Sequence, residues 1–122
     1  MESVELDLLV DTRAMFSVVP ASQLTKLGVS PARRMEFELA DGSTIERDVG
    51  EVRFRYNGRS AISPVVFGGE TDSAILGVVS METLGLEVDP LRKILRPTKL
   101  ILYGCRPTCW LVGSLRHRMI LA

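Results

Sequence analysis

The chain has 122 residues, a length for one domain and hardly more, and 46% of them are hydrophobic, enough for a real core and too many for a disordered segment. Acidic and basic residues balance at 15 each, so no field of one sign attracts nucleic acid or an anionic membrane. No run of about 20 apolar residues is present, and the acidic start Met-Glu-Ser-Val-Glu-Leu-Asp lacks the basic region of a signal peptide. The two cysteines, Cys105 and Cys109, are too few for a disulfide scaffold, and these features together point to a reduced, cytoplasmic protein.

Val4, Leu6, Leu8 and Val10 alternate with Glu5, Asp7 and Leu9, which predicts a half-buried strand ending at Asp11. Phe16 to Val19 reads as a second short strand, stopped by Pro20. Ala21 to Leu27 reads as a short helix ending at Gly28. After a loop from Ser30 to Arg34, Met35, Phe37 and Leu39 alternate with Glu36 and Glu38 as a third strand. Asp41-Gly42 predicts a two-residue hairpin turn with φ > 0 at both positions, and the charged hairpin it closes is expected to project from the body.

Gly50 is expected to break the return strand, Ser43 to Val49. Val52, Phe54 and Tyr56 then form another strand, turned at Asn57-Gly58 onto Ala61 to Phe67, where Pro64 marks an edge or a bulge. Ala74 to Val79 reads as a buried strand whose Gly77 marks a close backbone approach, and Ser80 as the cap of a short helix, Met81 to Leu84, ending at Gly85. Leu86 to Val88 and Lys93 to Leu95 form a last small hairpin, and Leu100 to Tyr103 is a candidate further strand. Many short strands with turn signals between them and one or two short helices predict a small all-β barrel or sandwich.

Within this pattern the sequence resembles the retropepsin-like aspartic proteases, especially the small single-domain prokaryotic ones. The resemblance rests on Leu8-Leu9-Val10-Asp11-Thr12-x-Ala14 and Val18-Val19-Pro20, then on the Leu24 to Gly28 helix and Ala40-Asp41-Gly42. Val49-Gly50-Glu51-Val52, Pro64-Val65-Val66, Ile75-Leu76-Gly77 and Leu84 to Asp89 follow in the family's order. It spans roughly Val4 to Tyr103.

The resemblance implies a closed all-β barrel of the acid-protease type over residues 1–104, with 105–122 as a C-terminal extension. It also implies an aspartic endopeptidase that works as a homodimer without metal or cofactor on a peptide or unfolded protein segment. Asp11 would be catalytic, and Thr12, Arg13 and Ala14 would complete its loop, with the Thr12 hydroxyl bonding across the two-fold axis. Ala40, Asp41 and Gly42 would form the flap tip, and Ile75, Leu76 and Gly77 would pack behind the loop. The chain holds one Asp-Thr-x-Ala, so the second carboxylate would come from a partner. Asp72-Ser73-Ala74 has the place of a connecting turn and is set aside.

Three departures accompany the resemblance. Arg13 stands where the family has glycine, and a guanidinium there would crowd the cleft and oppose a proton shared between two carboxylates. The alternative expectation is therefore a catalytically impaired dimer or a peptide-binding module. Only ten residues precede Asp11, so the first strand of the barrel is expected to be missing. In the tail, Cys105, Cys109 and His117 are three soft ligand candidates where zinc wants four, so they read as free thiols and a lone histidine, in an extension or a short interface helix.

Overall fold

The computed structural model describes residues 3–98 and 116–122. Its architecture is all-β, with two helices of six residues each. The chain runs β1 (Val4–Val10), β2 (Ser17–Pro20), α1 (Ala21–Lys26), β3 (Arg33–Glu38), β4 (Thr44–Tyr56), β5 (Arg59–Gly68), β6 (Ile75–Leu76), α2 (Val78–Thr83), β7 (Leu86–Asp89), β8 (Ile94–Pro97) and β9 (Arg116–Leu121). Seven strands share one sheet in the order β3-β4-β5-β2-β6-β1-β9, and β9 also pairs with β4 at Phe54↔Leu121 and Arg55↔Ile120. β7 and β8 form a separate hairpin.

The period-two strands bury their apolar face as expected. Leu8 and Val10 of β1, Val52 and Phe54 of β4, Val65 of β5, and Met119 and Leu121 of β9 all point into one core. Leu24 of α1 and Met81 of α2 close that core from the helices. α1 ends as its sequence predicts: Gly28 takes φ +78°, and the Val29 amide reaches back to the Leu24 carbonyl at 3.0 Å.

Several local expectations change. Gly50 does not break a strand, because β4 runs unbroken for 13 residues. Its glycine serves close packing, since a Cβ there would sit 2.9 Å from the Ser30 carbonyl oxygen. The turn at Asp41-Gly42 has positive φ only at Gly42, +87°. The Gly42 amide donates to the Leu39 carbonyl and the Leu39 amide to Ser43, so the loop is Ala40-Asp41-Gly42, a three-residue connection. Asn57-Gly58 does have positive φ at both positions, 47° and 80°. Among the described residues, Pro64 lies where β5 still has β4 on one side only. β2 begins to pair at Val65, so the missing N–H of proline breaks no ladder there.

The predicted strand Ala74 to Val79 shortens to Ile75–Leu76. Val78 and Val79 already belong to α2, whose N-cap is Gly77, so Ser80 lies within the helix rather than capping it. Of the stretch read as an extension, 116–121 forms β9, antiparallel to β1 from Val4↔Leu121 to Leu9↔Arg116. The Leu100 to Tyr103 strand and both cysteines lie outside the described residues. Among the described residues, no helix is long and apolar enough to cross a membrane.

Candidate functional site around Asp11

β1 delivers Asp11 to the edge of the core. Its register with β6 is parallel, Leu9↔Ile75 and Val10↔Leu76, and the Asp11 amide donates to the Leu76 carbonyl at 3.1 Å. The chain then turns: the Ala14 amide donates to the Asp11 carbonyl at 3.2 Å, and the Arg13 amide to Asp11 Oδ1 at 2.9 Å. The Asp11 side chain is 22% exposed and that of Arg13 is 73% exposed. Arg13 Nε lies 3.7 Å from Asp11 Oδ1, an ion pair held close to solvent. Thr12 and Ala14 are half-buried in the same turn.

The carboxylate-to-amide bond of Asp11 is not special in itself. Asp41 Oδ1 accepts from the Ser43 amide at 2.9 Å, and Asp89 Oδ1 from the Leu91 amide at 3.0 Å, with the same two-residue spacing. The surroundings set Asp11 apart. The N-terminus of α2 points its free amides at the Asp11 loop: Val78 donates to the Ala14 carbonyl at 2.9 Å and Val79 to Met15 at 3.0 Å. The loop thus supplies the acceptors that a capping side chain usually provides. A Cβ on Gly77 would lie 2.5 Å from the Phe16 carbonyl carbon, so only glycine allows this approach. Of the residues singled out from the sequence, Leu76 and Gly77 are therefore brought directly against the loop, while Ile75 stands in register with Leu9 and Val18 in the sheet.

The third group, Ala40, Asp41 and Gly42, lies at the exposed tip of the β3–β4 hairpin. Among the described residues, β3 pairs with β4 alone, which leaves one edge of its backbone without a strand partner there. The hairpin meets the loop through Phe37, close to its tip, whose ring meets that of Phe16 edge-on with centroids 6.2 Å apart. Met15, 69% exposed, and Leu39, 43% exposed, leave apolar surface on the loop and the hairpin.

Sequence reasoning missed Ser17, Ser63, Phe16 and Phe37 as parts of this assembly. The available signal was a serine inside each of two apolar runs, Phe16 to Val19 and Ala61 to Phe67. His117, read as a lone histidine, lies on β9, where its Nδ1 is 2.7 Å from the Tyr56 hydroxyl. Burial lowers the His117 pKa, and no described residue partners its Nε2. Among the described residues, no cluster of histidine, cysteine and acids is placed to hold a metal ion. No family model matches the chain, and no curated protein or solved structure matches it either.

Proposed function

We propose that this chain is a retropepsin-like aspartic endopeptidase fold, a closed barrel that acts as a homodimer with one Asp11 from each subunit. The observation that carries the reading is the clamp on the Asp11 loop. Leu76 holds the Asp11 amide, and Gly77 abuts Phe16 where no side chain fits. The double pairing of β9 with β1 and β4 supports the closed barrel.

The chemistry needs two carboxylates too close to ionise together, so that one proton is shared. The ionised member takes a proton from a water, whose oxygen attacks the peptide carbonyl carbon, while the protonated member donates to the carbonyl oxygen. Collapse of the resulting diol breaks the C–N bond, with a proton passed to the leaving amine. An extended peptide or unfolded segment would lie beneath the two hairpins, held by backbone hydrogen bonds of the strand-addition kind. Thr12 would brace the two loops across the dimer axis.

A second reading is favoured by a specific contact. Arg13 Nε lies 3.7 Å from Asp11 Oδ1, and this long side chain stands where the family has glycine. On that reading the dimer binds peptides and cleaves them poorly. Cleavage of an unstructured polypeptide against pH, by the natural chain, Arg13→Gly and Asp11→Asn, tests both. The expected result is at least about a tenfold gain for Arg13→Gly and loss of cleavage for Asp11→Asn. Equal rates for the natural chain and Arg13→Gly would remove the impaired reading. A strictly monomeric mass in solution would remove the protease reading, since one chain cannot assemble two Asp11 residues.

A further inference from the structure

Three serines lie inside the core, where a hydroxyl is tolerated only if its hydrogen bonds are made. Ser17 of β2, Ser63 of β5 and Ser80 of α2 are 0%, 1% and 0% exposed. Ser80 Oγ is 2.6 Å from Ser17 Oγ and 2.8 Å from Ser63 Oγ. Ser17 Oγ accepts the Gly77 amide at 2.9 Å, and Ser63 Oγ donates to the Pro64 carbonyl at 3.3 Å. The Ser63 end fixes the direction of the chain. Ser63 gives its one hydroxyl proton to the Pro64 carbonyl, so it accepts from Ser80, and Ser80, its own proton spent on Ser63, accepts from Ser17. Each hydroxyl then accepts once and donates once.

The near end of this chain is Gly77, the residue pressed against Phe16. The start of α2 has no side-chain cap, and Gly77 cannot carry one because its Cβ would meet the Phe16 backbone. Ser17 therefore supplies from β2 the acceptor that the Gly77 amide needs. The next two amides, Val78 and Val79, hold the carbonyls of Ala14 and Met15. A shift of Gly77 is passed directly to the loop that carries Asp11.

We propose that the buried serine chain is a positioning device, in which Ser17 and Ser80 set the placement of the Asp11 carboxylate through Gly77 and the start of α2. The proposal rests on the reading of Asp11 as the catalytic acid. The serines touch no substrate, and their effect runs entirely through the loop.

The test uses the full chain carrying Ser17→Ala, Ser80→Ala or Ser63→Ala. The Asp11 carboxyl is followed by NMR across pH, and the Gly77 amide by hydrogen exchange. Gly77 exchange is expected to rise by about tenfold or more in Ser17→Ala, with smaller rises in Ser80→Ala and then Ser63→Ala. The Asp11 titration midpoint should move in the same order. In a background that cleaves peptide, kcat should fall by about 10- to 100-fold with KM unchanged. An Asp11 titration unchanged in all variants, despite a lower Tm, would overturn the proposal and leave the serines as packing groups. If Ser17→Ala does not fold, Ser80→Ala and Ser63→Ala decide the outcome by the same measurements. Absence of cleavage by every chain would count against the protease reading alone, because the two NMR measurements do not depend on turnover.

Discussion

The Asp11 loop and the tip of the β3–β4 hairpin use the same local chemistry and come to different ends. In each, an aspartate accepts the amide two residues on, at 2.9 Å. At the hairpin tip the turn is held by that bond and by its own backbone, the Gly42 amide on the Leu39 carbonyl and the Leu39 amide on the Ser43 carbonyl. Ser43 also donates its hydroxyl to Asp41, and the two bonds from Ser43 hold the Asp41 carboxyl below its usual range. At the loop, the local bond is overlaid by contacts from a segment more than 60 residues away: the Leu76 carbonyl, the Gly77 backbone and the first amides of α2. A turn closed by its own residues is free to move as a unit, whereas a turn closed by distant elements moves only if the core does. The rigid part is the one that carries the candidate acid, and the hairpin is the candidate cover.

The glycines of the two regions offer the sharpest break. Gly77→Ala places a methyl 2.5 Å from Phe16 backbone, so it should destabilise the chain by about 3 kcal/mol or more, read as a fall in denaturation midpoint. Gly42→Ala has open space around its Cβ and meets only the cost of φ +87°, about 1–2 kcal/mol. Equal losses at the two positions would mean that the loop is no more tightly held than the hairpin.

Acid and salt should separate the regions further. His117 lies on β9 within the body, and burial lowers its pKa from the ordinary 6.5. The unfolded chain takes up that proton first, so the stabilisation is full above about pH 6.5 and is lost as pH falls toward the folded pKa. Tm measured against pH should therefore drop on acidification, and His117→Asn, which keeps a polar group near Tyr56 without titrating, should flatten that drop. On the hairpin, Arg34 bridges Glu46 at 3.3 Å and Asp48 at 3.2 Å in solvent. Arg34→Ala should have the smallest effect of the set, visible at low salt and erased at high salt.

Much of this arrangement is legible in the chain itself. Alternation placed β1 and its end at Asp11, Asn57-Gly58 set a turn with φ > 0 at both positions, and Gly28 and Gly85 ended their helices in the left-handed region. These features depend on near neighbours, and period and turn chemistry report near neighbours directly. The resemblance set Ile75-Leu76-Gly77 behind the Asp11 loop, and the parallel register of β1 with β6 places the Leu76 carbonyl on the Asp11 amide.

Other features follow from long-range packing alone. Ser80 has the local look of a cap, yet the loop after Asp11 supplies acceptors to the first amides of α2, and Ser80 turns into the core to meet Ser17 and Ser63. Residues 116–121 carry an apolar pattern broken by Arg116, His117 and Arg118, and only the presence of β1 and β4 on either side makes a strand of them. Gly50 looks like a breaker and is instead a point of close approach within an unbroken strand. The sequence by itself determined β1 and the place of Asp11 at its end, the Asn57-Gly58 turn and the glycine ends of the two helices, because these depend on bonds and side chains a few residues apart. Tertiary structure decided what clamps Asp11, because amides, carbonyls and hydroxyls from separate elements find partners only once the core has brought those elements together.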